Sequence, residues 1–189
     1  YIRGNRFGNE DVVGQIERLG GEAWVAPISE WLLYLNATAK TSAVMGRSWR
    51  DFVKAHVTHW FQVRDEHRLA AAFNGTMRSL HEPAIETTLE RARPYVHHSF
   101  EGEAVLSVGK ALDYIFRGVS GLVNVMPFTC MPGTITGALL KRVREEHGNI
   151  PLLNIAYEGQ RDTQTVTRLE AFMHQARAYR GTAERKGSA

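Results

Sequence analysis

The chain has 189 residues, of which 43% are hydrophobic and 23% charged, and its net charge is +3. This length and balance are typical of a globular protein with one large domain and a sizeable core. The charge is mildly basic and no run concentrates it, so composition alone does not indicate nucleic-acid binding. A single cysteine excludes an internal disulfide framework and any zinc site built from two CxxC pairs.

The same features bear on the compartment. No apolar run approaches the roughly 20 residues that a membrane-spanning helix needs. A lone cysteine is more typical of a reducing environment, so we expect a cytoplasmic protein that contacts no membrane. The chain opens on YIRGNRFGNED, without methionine. We therefore expect it to be a piece of a longer multidomain protein.

The amino-terminal segment alternates strand-like and helix-like patterns. YIRGNRF predicts a strand that ends near Arg3, and EAWVAP predicts a second strand that ends near Ala26. Between them, Asn9 can cap a short helix that Gly20 and Gly21 close. The apolar stripe of this helix consists of Val12, Val13, Ile16 and Leu19.

The long middle of the chain, from Pro27 to Ser120, shows helical periodicity and no convincing strand. Its clearest helix covers the segment from Glu101 to Arg117. A connection of this length is far longer than an ordinary link between a strand and a helix. We interpret residues 27–100, approximately, as a helical insertion.

Strand patterns return near the carboxyl end. GLVNVMPF and IPLLNIAY are continuous apolar runs, typical of buried parallel strands, and should end near Phe128 and Tyr157. A helix from about Thr134 to His147 separates them. Asp162 can cap a final helix, and residues 181–189 should form a flexible tail.

Strands that alternate with helices predict an α/β fold. We expect a Rossmann-like or flavodoxin-like parallel sheet of about four strands, in the order 2-1-3-4, within one domain over residues 1–180. Ligands of such sheets bind beyond the carboxyl ends of the strands. The candidate site therefore lies where the predicted strands end.

Cys130 lies just beyond the end of the third predicted strand. Pro132 suits the first turn of the next helix, and Gly133 permits a close backbone approach. The GTITGA segment contains no carboxylate, so the helix amides and dipole would stabilise an anion such as a thiolate. The alternative interpretation is a buried cysteine that only packs.

Further candidates follow the other predicted strands. Ser29 and Glu30 come after the second strand, where they would cap the next helix or, as the alternative, line the binding pocket. Glu158 and Gln160 come after the last strand, and Arg6 follows the first. The predicted cofactor-binding residues are Cys130, Pro132, Gly133, Thr134, Ser29, Glu30 and Glu158.

Other constellations favour plain structural roles. His56 and His59, three residues apart, could form half of a zinc site, but no HExxH pattern supports it. Trp31, Trp49 and Trp60 indicate packing more than ligand stacking. GxGxxG and Walker patterns are absent, so the chain itself should not bind ATP through a P-loop.

Two blocks of the sequence resemble a known family. PFTCMPGTITGALLKR and NIAYEGQRDTQTVTRLEAF, with the upstream RFGNEDVV, are similar to the superfamily of 2-hydroxyglutaryl-CoA dehydratase component D and benzoyl-CoA reductase. Within it, the chain looks like the carboxy-terminal part of the large CoA-substrate-specific enzyme activases. These proteins fuse an actin-like ATPase module to dehydratase-like domains.

The resemblance implies a role in ATP-driven, low-potential electron transfer. In that superfamily, cysteines at strand ends bind an iron–sulfur cluster. In this chain only Cys130 can be matched to such a ligand, so the resemblance implies Cys130 as the metal ligand. One thiolate cannot hold a 4Fe-4S cluster, which needs about four protein ligands. The remaining ligands would come from other segments.

The resemblance also implies partners. They would be the other domains of the same chain, including the ATPase module, and a CoA thioester or other small-molecule substrate, with no nucleic acid. Whether the chain belongs to an enzyme stays open. The alternative is a non-catalytic binding or assembly domain in which Cys130 is only packed.

Overall fold

A computed structural model describes residues 2–73, 82–97, 100, 102–159 and 164–187. Within these ranges the chain forms a short 3-10 helix at Ile2–Gly4, seven α-helices and two β-strands. The helices are α1 (Val12–Arg18), α2 (Ile28–Met45), α3 (Trp49–Ala72), α4 (Ile85–Ala92), α5 (Glu103–Phe116), α6 (Met131–Glu146) and α7 (Gln164–Gly187). The strands are β1 (Leu122–Pro127) and β2 (Leu152–Tyr157).

The chain divides into two units. The first, called here the sheet unit, combines Tyr1–Val25 with Ala92–Ala189 and contains both strands. The second, the helical unit, is Ala26–Arg91 and contains α2, α3 and most of α4. The helical unit overlaps the segment predicted as an insertion, 27–100, and the single domain over 1–180 stays a prediction.

The two strands pair in parallel, and their register runs from Leu122 opposite Leu152 to Pro127 opposite Tyr157. Alternate side chains of a strand point to opposite faces of a sheet. One face buries an apolar cluster that brings together β2, α1 and α7. The buried residues of this cluster are Val12, Ile155, Tyr157, Leu169, Phe172 and Met173.

The opposite face of the sheet is covered by α6 at very short range. An ideal Cβ on Gly133 would lie 2.6 Å from the Cβ of Met126, and one on Gly137 would lie 3.1 Å from Oδ1 of Asn154. These glycines are four residues apart and so share one face of α6. The helix can approach the strands closely because it has no side chain at these two positions.

The predicted Rossmann-like sheet of about four strands is wrong. The described residues form a mostly helical chain with one sheet of two strands. The first predicted strand is instead the 3-10 helix, because the side chain of Asn9 donates hydrogen bonds to the carbonyl oxygens of Ile2 and Arg3, at 2.8 and 3.1 Å. A buried local donor has thus taken the acceptors that a neighbouring strand would use.

The second predicted strand, EAWVAP, is also wrong, since residues 21–27 carry no strand pairing. Its largest side chain packs against α5: the ring of Trp24 lies edge-on to Tyr114, with centroids 6.0 Å apart. The indole of Trp24 donates to Glu22 Oε1 at 2.8 Å. The strand order 2-1-3-4 fails with these two strands, whereas the parallel pairing of the last two is confirmed.

Most of the predicted helices exist, with shifted ends. The helix α6 begins at Met131, earlier than predicted, because Pro132 is accommodated within its first turn. The cap of α1 is Asp11, in the left-handed conformation, and not Asn9. The last helix continues to Gly187, beyond the predicted start of the tail at residue 181. Asp162 lies outside the described residues.

The close approach of α6 to β1 predicts the effect of one methyl group. Gly133→Ala should lower the free energy of unfolding by about 1–3 kcal/mol, because the backbone-attached Cβ of Met126 cannot move aside. This cost should exceed the gain of up to about 1 kcal/mol in helix propensity. Urea unfolding followed by circular dichroism measures it.

Gly4→Ala is the matched control, since nothing lies within 4 Å of an ideal Cβ at Gly4. It should change stability by no more than about 0.5 kcal/mol. If Gly133→Ala were as stable as the unaltered protein, the described packing of α6 on the sheet would be incorrect.

Candidate functional site

A tight turn at the end of β1 places Cys130 at the carboxyl edge of the sheet. The amide of Phe128 donates to the carbonyl of Tyr157 at 2.9 Å, which continues the ladder by one bond. Thr129 then adopts a left-handed backbone with φ 59°, and the amide of Cys130 donates to Pro127 O at 3.1 Å. We call residues 127–134 the Cys130 corner.

Cys130 is the N-cap residue of α6. Its side chain makes no capping hydrogen bond, and the residue is partly exposed. The first turn of the helix contains no acidic residue. Amides at a helix start and the positive end of the helix dipole both stabilise negative charge. The corner therefore presents one sulfur beside backbone groups that suit an anion.

The other predicted residues of the corner have structural duties of their own. The hydroxyl and amide of Thr134 both donate to the carbonyl oxygen of Cys130, at 3.0 and 2.9 Å, and so hold the turn. Pro132 supplies a helix start that needs no amide donor. Gly133 provides the close contact with Met126. Their predicted contact with a cofactor stays a prediction.

Glu158 lies at the same edge of the sheet as Cys130. It directly follows β2, the strand paired with β1, and is exposed. Gly159 after it has φ 81°, a conformation that suits glycine. Glu158 is thus a predicted cofactor-binding residue outside the Cys130 corner that the structure places at the same edge of the sheet. Gln160 lies outside the described residues.

Ser29 and Glu30 belong to the first turn of α2 in the helical unit, since the strand that should have preceded them does not form. The hydroxyl of Ser29 donates to Glu66 Oε1 at 3.2 Å. Glu30 is buried and accepts from the hydroxyl of Thr88 at 3.3 Å. Both side chains thus take part in contacts inside the helical unit. Their role as cofactor ligands stays a prediction.

Arg6 lies on the loop after the 3-10 helix, where its guanidinium contacts Asp11 at 2.9 and 3.2 Å. This hydrogen-bonded pair lowers the pKa of Asp11. Asp11 also faces Arg18 at 3.6 Å. Arg6 therefore contacts the N-cap residue of α1, which is a structural role.

Tyr157 is a residue of this edge that the sequence did not single out. It ends β2, is buried, and its hydroxyl has no hydrogen-bond partner among the described residues. Burial, with the nearby charge of Glu10 as a second cause, raises the pKa of Tyr157 to about 12. Apart from its place in an apolar run, the sequence holds no signal for this uncompensated hydroxyl.

The two histidines of α3 have different surroundings. Nδ1 of His56 lies 2.9 Å from the carbonyl oxygen of Phe52, within the helix. Burial lowers the pKa of His59, with the charge of Lys40 as the next cause. No group of three or more histidine, cysteine, aspartate or glutamate side chains that could hold a metal occurs among the described residues.

An iron–sulfur cluster fits the described residues only in part. A 4Fe-4S cluster takes about four protein ligands, preferably thiolates. The chain contains one cysteine, in a position suited to an anion, and the described residues add no gathered set of further ligands. The Cys130 corner thus fits the role of one ligand and does not fit that of a complete cluster site.

Comparisons of the chain with models of protein families, with curated proteins and with solved structures give no match. Within the described ranges, none of the helices combines the length and apolar character needed to cross a membrane.

The partial exposure of Cys130 predicts ready chemical labelling. In the folded protein, an aromatic disulfide reagent at pH 7 should modify one thiol per chain, at a rate within about tenfold of that after unfolding. The absorbance of the aromatic thiolate released by the reagent measures the rate of labelling, and the Cys130→Ala protein supplies the blank. Labelling that begins only in denaturant would show that the sulfur is packed inside.

The buried hydroxyl of Tyr157 predicts a stability that depends on pH. Ionisation is disfavoured in the folded state, so stability that is complete below pH 10 should be lost as pH rises towards 12. Tyr157→Phe should abolish up to about 2.5 kcal/mol of this loss. At pH 7 it should be neutral or stabilising by about 1 kcal/mol, since no hydrogen bond is lost. Urea unfolding across pH 7–12 measures both effects.

Tyr95→Phe provides a contrast of opposite sign at neutral pH. The hydroxyl of Tyr95 donates to Glu146 Oε2 at 2.6 Å, so its removal should destabilise the protein by about 1 kcal/mol. A Tyr157→Phe protein less stable than the unaltered chain at pH 7 would mean that the hydroxyl has a partner.

Proposed function

We propose that this chain is a domain of an iron–sulfur protein of the 2-hydroxyacyl-CoA dehydratase and activase type, in which Cys130 supplies one cluster ligand. The observation that carries the proposal is the position of Cys130: partly exposed, at the carboxyl edge of a parallel strand pair and at the start of α6. The PFTCMPG block that carries the family resemblance forms this turn.

The chemistry of the corner supports a soft, anionic ligand. A thiolate is the side chain that iron in such clusters prefers. The helix start offers amides and a dipole of suitable sign, and its first turn contains no competing carboxylate. Hydrogen bonds from amides to cluster sulfur atoms tune reduction potentials, and this segment could provide them. When bound, the cluster would supply one-electron transfer at low potential.

The rest of the proposal concerns the surroundings of the chain. A single cysteine leaves about three ligands to be supplied by other segments of a longer, multidomain protein. An ATPase module would drive the electron transfer, and a CoA thioester or another small molecule would receive the electron. A reducing, cytoplasmic compartment would keep the thiolate and the cluster intact.

Iron and acid-labile sulfide in the longer protein, purified without oxygen, test this proposal. Cys130→Ala should lower both by half or more and abolish ATP-driven reduction of an acceptor dye. Met131→Ala is the matched control, because Met131 is adjacent and 69% exposed but offers no thiolate. It should retain the iron content. The 189-residue chain alone should hold no stoichiometric cluster.

Unchanged iron, sulfide and dye reduction in the Cys130→Ala protein would remove this residue from the cluster. The chain would then be better described by the alternative, a non-catalytic binding or assembly domain. A Cys130→Ser variant guards against a packing artefact, because serine keeps the size and polarity of the side chain but binds iron poorly.

A further inference from the structure

The helix α3 exposes an apolar stripe on one side. Trp49, Val53, Val57 and Trp60 follow one another at intervals of four, four and three residues, which places them on one face. Their exposed fractions are 74, 39, 50 and 59%. A different face of the helix contributes to the interior of the helical unit, where Ala55 is buried and its carbonyl accepts from Asn36 of α2 at 3.0 Å.

Along the stripe lies a shallow hollow of about 400 Å³ that is wide open to solvent. Its lining combines apolar and cationic side chains: Trp49, Arg50, Val53, Lys54, Val57 and Thr58. A hollow of this volume can receive one or two protruding side chains of a partner. We call this surface, together with Trp60 and Arg64, the α3 face.

The charge of the α3 face is concentrated near the start of the helix. Arg50 and Lys54 supply it there, whereas Arg64 at the other end already contacts Asp65 at 3.0 Å. Asp51 belongs to the helix start, where its carboxylate accepts from the hydroxyl of Ser48 at 2.6 Å. Arg50 and Lys54, four residues apart, form a cationic edge beside the apolar stripe. At its far end the guanidinium of Arg64 lies over Trp60, 5.2 Å from the ring centroid.

We propose that the α3 face is a docking site for an acidic amphipathic helix of a partner protein. Leucine-like side chains of that helix would fill the hollow and cover the two tryptophans. Its glutamate or aspartate residues would align with Arg50 and Lys54. The stripe from Trp49 to Trp60 is about 16 Å long at roughly 1.5 Å per residue, so about three turns of a partner helix would cover it.

Two other occupants fit these observations less well. In a second copy of the chain, the acidic side chain at the end of the stripe, Asp65, already contacts its own Arg64 at 3.0 Å, so the cationic edges of two α3 faces would lack a matching acidic edge. A membrane surface fits the placement of the charges less well. A helix that lies in a membrane interface carries basic residues along its polar face on both sides, whereas Arg50 and Lys54 lie along one edge of the stripe.

The test uses the 189-residue chain and a defined peptide. The peptide is an 18-residue synthetic helix with leucine on one face and glutamate along both edges. A second peptide has lysine at every glutamate position. Isothermal titration calorimetry should give a dissociation constant for the glutamate peptide at least about tenfold lower than that for the lysine peptide. Raising the salt from about 0.05 to 0.5 M should weaken binding several-fold.

Variants locate the binding surface. Val57→Glu and Lys54→Glu should each raise the dissociation constant about tenfold or more. Val57→Glu places in the hollow a carboxylate that repels the glutamates of the peptide, and Lys54→Glu reverses the charge of the cationic edge. Val166→Glu on α7 is the matched control, since Val166 is 45% exposed, close to the 50% of Val57. It should leave the dissociation constant unchanged. If Val57→Glu alters the circular dichroism, the exposed Lys54→Glu decides.

Several results would overturn the proposal. Equal affinity for both peptides, or no binding of either, would do so. Binding to phosphatidylglycerol vesicles without binding to the glutamate peptide would identify a membrane surface instead. A dimer in sedimentation velocity that Val57→Glu abolishes would identify a second copy as the occupant.

Discussion

The contact between the glycine face of α6 and the two strands sets the position of the Cys130 corner. Gly133 meets Met126 of β1 at a distance that a side chain would not permit, and Gly137 meets Asn154 of β2, where an added Cβ would lie 3.1 Å from the side-chain oxygen. Because both contacts lie on one face, they fix the rotation of the helix as well as its distance from the sheet. The turn at Thr129 and Cys130 connects β1 to the helix held in this position.

A second constraint holds the strands in register beneath α6. Asn124 and Asn154 are directly opposite in the parallel ladder, and their side chains are joined by a hydrogen bond of 2.9 Å. The amide of Asn124 also approaches the carbonyl of Gly133 at 3.4 Å. A slip of one residue would separate the two amides and turn each apolar side chain to the wrong face. Because the described residues form a sheet of two strands, this pair supplies specificity that further strands would otherwise provide.

Secondary-structure elements that depend on the local apolar pattern were predicted correctly from the sequence. Elements that depend on which groups hydrogen-bond to the backbone were not. β1, α6 and β2 were predictable because long apolar runs and the Pro-Gly pair mark them directly. The strand at Ile2–Gly4 was wrong because nothing in the pattern shows that the side chain of Asn9 occupies two carbonyl oxygens.

The same division applies to the site. Cys130 and Glu158 were predicted to lie at one edge, and the paired strands place them there. Ser29 and Glu30 were predicted to lie at the sheet edge because a strand was expected at EAWVAP. That segment is irregular, and its Trp24 packs against Tyr114 instead. The left-handed backbone of Thr129 and the buried hydroxyl of Tyr157 are products of tertiary packing, and no residue pattern indicates either.

Both proposals concern a surface of this chain that would be completed by groups from elsewhere. A single thiolate at a rigid helix start is a poor site alone, yet as one ligand of a shared cluster it loses little conformational freedom on binding. The α3 face likewise exposes two tryptophans and two valines to water, an arrangement whose apolar area is stabilised only when another surface covers it. The cationic edge then restricts which surface can do so, since a partner without matching acidic residues would leave Arg50 and Lys54 desolvated and unpaired.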